Sequence, residues 1–219
     1  MEQNWRSRPS RTVLVCFALR QEAAAFKRFV RANPAVTALV TGMGLVNAGR
    51  AVQQVVQGRH FDEVFSCGFA GGLNPRLAPG TVLFHTADPA LAERLQKAGA
   101  IPARFALVDK LLVTAAAKAQ CYSATGADAA QFESEAVQAI CRQRNIPFAV
   151  VRVVLDAANE NLPIDFNKFI SAGGGFQYGK FFGAIACAPG KIRLLIQLMK
   201  RCRFTSTKLA VVLAAAIRQ

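Results

Sequence analysis

The chain has 219 residues, 53% of them hydrophobic, which is enough for one sizeable core and favours a single domain. Lysine and arginine total 27 against 13 acidic residues, a formal charge of +14, so anionic partners are favoured: phosphate, an anionic membrane surface or nucleic acid. No uncharged apolar run approaches the roughly 20 residues of a membrane span, and the six cysteines stand singly, with no metal-ligand pair and no dense disulfide framework.

The Arg-rich start runs to Arg11, and the apolar run behind it, Val13–Leu19, soon meets Arg20 and Glu22. That is not a signal-peptide layout, and the expectation is a cytoplasmic protein with reduced thiols. Thr12–Ala18 reads as a buried strand, followed by a helix around Gln21–Val30 with Ala23, Phe26 and Val30 inward. Ala35–Val40 predicts a second strand, running into the Gly-rich turn TGMGLVNAG at 41–49. Backbone N–H groups in such a turn can hold an anion or a ribose hydroxyl, while an ordinary tight turn at Gly42 and Gly44 is the plainer alternative. The turn lacks the GxGxxG spacing and the later acidic residue of a dinucleotide fingerprint.

Ala51–Gln57 completes a helix, and Glu63–Cys67 is a strand opening into a glycine loop over 68–80. Strand, glycine loop and helix have then occurred twice, which predicts a single α/β domain with a central, mostly parallel, twisted sheet flanked by helices. Thr81–His85 is a short strand and Leu91–Ala98 a short helix. Residues 99–110 are poorly patterned, and Leu111–Cys121 resembles another helix.

The stretch from Cys121 to Pro163 organises the rest. Phe132, Ala136, Ala139 and Ile140 recur at helical spacing, with Val137 and Cys141 beside them, predicting an amphipathic helix over 132–144. Phe148 to Leu155 is a nearly unbroken apolar run, the pattern of a central parallel strand. Arg152 interrupts it, and a buried guanidinium needs a carboxylate partner or a structural pairing within the fold. Asp156 falls at the strand's carboxyl end, where open α/β sheets bind ligands, although it could simply cap a helix over Ala157–Asn161. Glu133 could be no more than a first-turn acid favoured by the helix dipole.

After Pro163 the chain reads as irregular until a basic helix from Lys191 to Arg203. There Ile192, Leu195, Ile196, Met199 and Cys202 share one face, and Arg193, Lys200 and Arg201 crowd the other. Packing on its own domain and contact with an anionic membrane are both open for such a helix. The domain expectation is a basic tail over 1–11, an α/β core over 12–163 and a C-terminal basic helical extension over 164–219 packed on that core.

Five ordered motifs carry a resemblance: FALRQEAAAF (17–26), TGMGLVNAG (41–49), CGFAGGL (67–73), ATGADAAQFES (124–134) and PFAVVRVVLDAAN (147–159). Together they cover nearly everything from Thr12 to Pro163 and resemble the purine nucleoside phosphorylase and nucleosidase superfamily. Within it, AGGLNPRLAPG (70–80) and LDAANENLP (155–163), with the short middle and basic tail, are closer to the hopanoid-associated phosphorylases than to the 5′-methylthioadenosine/S-adenosylhomocysteine nucleosidases. The former are thought to remove adenine from adenosylhopane.

The resemblance implies roles. Asp156 matches the acid that protonates purine N7 as the base leaves, and Glu22 the carboxylate that orients attacking water. Glu133 matches the carboxylate that grips the ribose hydroxyls. Phe132 stands where a base- or sugar-packing Met is common. Arg152 matches a strand arginine expected to pair with Glu22. Gly42, Gly44 and the 68–72 loop, with Phe69 and Gly71, would line the nucleophile and ribose site. Departures fall at Gln131, at Phe69 and at Leu155, which replaces a Ser that hydrogen-bonds on the base side.

The activity implied is cleavage of the N-glycosidic bond of a purine (adenine) nucleoside by water or phosphate, with an apolar 5′ group or a soluble methylthio group both open. A degenerate membrane-binding module is the non-enzyme alternative. No metal or organic cofactor is expected, since His60 and His85 stand apart; phosphate could enter as co-substrate. The partner expectations are a small-molecule nucleoside, lipid-linked or soluble, peripheral contact with the inner face of an anionic membrane, a homodimer, and no specific nucleic acid.

Overall fold

The computed structural model describes residues 11–132, 134–170, 177, 179–181, 190 and 192–219. Glu133 therefore lies outside the described residues, as does most of the segment between Ile170 and Ile192 that was expected to be irregular.

The chain begins with β1 (Val13–Phe17), all five of whose side chains are buried, as expected of an apolar run covered on both faces. It continues through α1 (Arg20–Val30), β2 (Val36–Val40), α2 (Leu45–Gly58) and β3 (Glu63–Gly72). Next come β4 (Val82–Thr86), α3 (Pro89–Lys97), β5 (Ile101–Pro102), β6 (Phe105–Leu107) and α4 (Ala115–Thr125). Then follow β7 (Ala129–Gln131), α5 (Ser134–Gln143), β8 (Phe148–Asp156), a 3-10 turn at Phe166–Phe169, and α6 (Ile192–Arg218).

The strands form one sheet in the order β2-β1-β3-β8-β4-β5, with β7 on the far end of β3 and β6 on β7. The pairs β2–β1, β1–β3 and β3–β8 are parallel; β4 runs antiparallel to β8, and β7 antiparallel to β3. The expected mostly parallel, twisted α/β architecture is therefore the observed one.

Alternation along the strands divides the core. Val13, Val15 and Phe17 face one side with Val151, Val153, Ala23 and Phe26, joined by Leu91, Leu95, Leu209 and Leu213. Leu14, Cys16 and Val64 face the other with Ala48, Val52, Val137 and Cys141. So α1, α3 and α6 cover one face, and α2 and α5 the other.

Four expectations need correction. The glycine loop at 68–80 is strand as far as Gly72, because the chain goes on pairing with β8 and then with β7. Residues 99–110, with no legible pattern, hold β5 and β6, strands too short for a period to show. The buried face of α5 is Ser134, Val137 and Cys141, with Ile140 packed partly buried beside them; Val137 and Cys141 were expected there, but Ala139 is exposed and Phe132 precedes the helix. Finally, α6 has 27 residues and extends far past Arg203. Its second half carries the packing, through Leu209, Ala210, Leu213 and Ala216, while Ile192, Leu194, Ile196 and Met199 in the first half remain exposed.

This division is measurable. Leu213 is fully buried, so Leu213→Ala should cost about 2–5 kcal/mol in denaturant unfolding. Met199→Ala, at a side chain 59% exposed, should stay within about 0.5 kcal/mol of the parent.

Candidate functional site

The carboxyl ends of β1, β2, β3 and β8 meet at one edge of the sheet, the place where open α/β folds present ligand-binding loops. Each of these strands delivers residues singled out in the sequence. Glu22 follows β1, in the first turn of α1, and is buried. Its Oε2 accepts from the Leu19 N–H (2.9 Å) and its Oε1 from the Phe69 N–H (2.8 Å), so one carboxylate ties the start of α1 to β3. The position a Cβ would take on Gly68 is 2.6 Å from Glu22 Oε1; only glycine allows this approach. After β2, Gly42 and Gly44 both have positive φ (83° and 90°), and Gly44 is the N-cap residue of α2. The Thr41 N–H donates to the Phe17 carbonyl (2.8 Å), holding this turn against the end of β1.

Asp156 is the last residue of β8 and is buried; a turn follows it, not the helix it could have capped. A register shift between Ala70 and Gly71 sets Gly71 opposite Asp156, and a Cβ at Gly71 would lie 3.9 Å from each carboxylate oxygen. The partner of this carboxylate comes from α4. Lys118, fully buried, donates from Nζ to Asp156 Oδ2, to the Ala157 carbonyl (2.8 Å) and to the Glu160 carbonyl (2.8 Å). All three ammonium protons are thus committed within residues 156–160. Beyond the pair, Arg201 of α6 bonds the Glu160 carboxylate, whose Oε2 also accepts from the Ala157 N–H (3.1 Å).

Burial pushes the Asp156 carboxyl above its ordinary range, Lys118 opposes this through its charge and hydrogen bond, and the net direction is upward. Burial also raises Glu160, but the bonds from Arg201 and the Ala157 N–H outweigh it, and that group ends below its usual value. Cys202 on α6 is pushed up to about 11, by burial first and then by the negative charges of Glu22 and Asp156. One thiol thus lies within electrostatic reach of both carboxylates.

A cavity of about 30 Å³ adjoins Asp156, lined by Gly71, Phe132, Lys118, Leu111, Leu112 and Leu162 among others. It therefore gathers Asp156, Gly71 and Phe132 of the expected site residues, and Glu22, Phe69, Gly42 and Gly44 stand at neighbouring strand ends outside its lining. Arg152 is elsewhere. Its Nη1 donates to the Ser66 carbonyl (2.6 Å) and the Val151 carbonyl (3.2 Å), and its Nη2 to the Ser66 hydroxyl (3.1 Å). The expected pairing with Glu22 is corrected by this geometry. Arg152 alternates onto the side of the sheet covered by α2 and α5, whereas Glu22 belongs to α1 on the opposite side. A larger open depression of about 520 Å³, lined by Arg203, Phe204, Thr207, Lys208 and Val211, lies on α6 and contains no carboxylate.

The structure superposes on 5′-methylthioadenosine/S-adenosylhomocysteine nucleosidase from Neisseria meningitidis, solved with methylthio-immucillin-A, with a TM-score of 0.70 at 18% identity, covering 95% of this chain and 99% of that one. It superposes comparably on futalosine hydrolase of Helicobacter pylori (TM-score 0.67, 14% identity, 93% and 97% covered). The chain has the nucleosidase fold. Residues 21–88 match the family described as the phosphorylase superfamily. A 5′-methylthioadenosine/S-adenosylhomocysteine nucleosidase from Shewanella sediminis is 26% identical over 170 residues, spanning 61% of this chain and 74% of that relative.

Within this nucleosidase fold, sequence reasoning missed Lys118, Glu160, Arg201 and Ser66. Lys118 left one faint signal, a single charge in an otherwise small-residue segment (AAAKAQCYSAT). Ser66, two positions before Gly68 on the neighbouring strand, could have been weighed as the partner of Arg152.

Gly68→Ala should displace the Glu22 carboxylate and lower stability by about 1–3 kcal/mol, the usual range for forced overpacking. Thermal unfolding beside a crystal structure of the variant checks both effects.

Proposed function

We propose that the protein hydrolyses the N-glycosidic bond of a purine nucleoside. One observation carries the reading: a buried carboxylate, pushed toward its protonated form, ends a central strand of a fold shared with nucleosidases. The C1′–N9 bond breaks with its electron pair passing to the base, and Asp156 gives its proton to N7 of the departing purine. A water oxygen bonds C1′ and loses its proton toward Glu22. Neutralising the leaving base is the demanding step, because a purine anion is a poor leaving group.

In this reading Phe132 and Phe69 pack against base or sugar, Glu133 holds the ribose hydroxyls, and the backbone at Gly42, Gly44 and Gly71 approaches the ribose and the water. The cavity beside Asp156, at about 30 Å³, is smaller than a nucleoside, so in this reading the site widens when the nucleoside binds. Water is favoured over phosphate because Arg20 at the start of α1 and Arg50 in α2 are both exposed and Lys118 has no proton left to offer.

A finer reading gives the nucleoside a bulky apolar 5′ group, of the adenosylhopane kind, handled at an anionic membrane. It is supported by the exposed Ile192, Leu194, Ile196 and Met199 beside Arg193, Lys200 and Arg203, on the helix whose Arg201 bonds Glu160. Among the described residues no helix is long and apolar enough to cross a membrane, so contact would be peripheral. Each cation near an anionic surface contributes about 1 kcal/mol.

Asp156→Asn should lower purine release from methylthioadenosine by about 10²–10⁴-fold while unfolding stays cooperative. Unchanged turnover would remove Asp156 from the chemistry. Separately, the protein should co-sediment with phosphatidylserine vesicles and not with phosphatidylcholine vesicles, and Ile196→Glu with Met199→Glu should abolish this. Sedimentation as a dimer that the same substitutions dissociate, without vesicle binding, would assign the face to self-association instead.

A further inference from the structure

Leu155, the residue before Asp156, carries no hydrogen-bonding side-chain group, so the acid's partner must come from another element. That partner is Lys118, on α4, 38 residues earlier in the chain. Its placement is built rather than incidental. Thr114 caps α4 by accepting from the Ala117 N–H (3.1 Å). The Ala115 N–H donates to Asn161 Oδ1 (2.7 Å), and the Leu162 N–H to the Val113 carbonyl (2.8 Å). The start of α4 is thereby latched to the turn that follows Asp156. The ammonium has no exposure to solvent, and every proton it carries is used on that turn.

We propose that Lys118 is a positioning residue for glycosidic cleavage: it fixes the Asp156 carboxylate toward Gly71 and governs when that carboxylate holds a proton. The inference rests on the nucleosidase reading above. Before transfer, the protonated Asp156 and Lys118 together carry one positive charge. When the proton passes from the carboxyl oxygen to N7 of the base, a carboxylate is left against the ammonium and the pair becomes neutral. Lys118 thus stabilises the state that follows donation, which makes Asp156 a stronger acid. The same attraction opposes reloading of the proton from solvent before the next turnover, so it also sets the upper pH limit of activity.

Among the described residues, the other charged and titratable groups facing Asp156 are Glu160 on the turn, which favours the protonated form, and Arg201 on α6, which opposes it; the Cys202 thiol of α6 lies close by. Glu160 and Arg201 bond each other, so their opposing effects on Asp156 partly cancel. Among the described residues Lys118 is the cation hydrogen-bonded to Asp156, and removing it takes away the largest opposition to desolvation.

The test uses the full chain as wild type, Lys118→Met, Asp156→Asn and the double variant carrying both. The first readout is the pH profile of purine release from methylthioadenosine. In Lys118→Met the alkaline limb should move upward by about 1–3 pH units, the shift expected when an opposite charge within hydrogen-bonding distance is removed. A uniform loss at every pH with an unmoved limb would overturn the proposal, leaving Lys118 a packing residue. The second readout is unfolding at pH 5 and pH 8 and needs no substrate. A carboxyl raised in the folded state contributes stability that is lost as pH rises through its folded value. Lys118→Met, with Asp156 raised further, should therefore fall further behind wild type at pH 8 than at pH 5. An equal deficit at both values would overturn the proposal. If wild type releases no purine, the nucleosidase reading fails, while the unfolding comparison still decides whether Lys118 controls the proton. Should Lys118→Met not fold, the double variant, free of buried charge at this site, should fold at both pH values; its failure would also overturn the proposal.

Discussion

The carboxyl edge depends on the parallel pairing of β3 with β8. This pairing runs from Val64 opposite Phe148 to Gly71 opposite Asp156, with one shift between Ala70 and Gly71. That shift turns the last pair so that a glycine, and no side chain, stands before the carboxylate. Because β3 outruns β1, its final residues also pair with β7, which brings Ala130 and Phe132 to the same place. Two positions back, the N–H of Phe69 is held by Glu22. One strand thus spaces two buried carboxylates, and each was near water in the unfolded chain. Backbone N–H donors at Glu22 and an ammonium at Asp156 oppose their desolvation, the latter only in part, two different responses to the same penalty.

The Lys118–Asp156 pair has little claim as a source of stability, because taking two charges out of water costs about as much as their attraction returns. What it provides is definition. An ammonium with three fixed acceptors has one position, and it gives α4 and the turn after β8 one arrangement relative to each other. A cavity of about 30 Å³ beside it means that this arrangement is closed. Leu111 in its lining is held in turn by Asn167, which accepts from its N–H (2.8 Å) and donates to its carbonyl (3.0 Å).

The parts of the fold that were legible in the sequence are those with a period of their own. β1, α1 and β8 each bury a continuous run or a stripe, and none of their limits moved by more than one residue. Asp156 was legible because a strand's carboxyl end is a position with known consequences, whereas Glu22 stood out only through the family resemblance. β6 and β7, at three residues each, have no period to show; they exist because neighbours in space accept their hydrogen bonds. The extent of α6 was hidden by Thr205, Ser206 and Thr207, which look like a helix end. The hydroxyls of Thr205, Ser206 and Thr207 bond back to carbonyls one turn earlier, which lets the helix continue. Lys118 was not legible, because no spacing along the chain distinguishes a buried lysine from a solvated one.

Arg152 has a consequence for how the sheet assembles. A slip of one residue along β3 would turn the whole of β8 over, and in an otherwise aliphatic strand of Val and Ala such an error would cost little in packing. A slipped strand would carry Arg152 away from the Ser66 carbonyl and hydroxyl that accept its hydrogen bonds and turn it toward the face holding Val13, Val15, Phe26 and Leu213. The arginine that was expected to pair with Glu22 thus marks the alignment of β8 on β3, because the observed register is the one that gives its guanidinium the Ser66 acceptors.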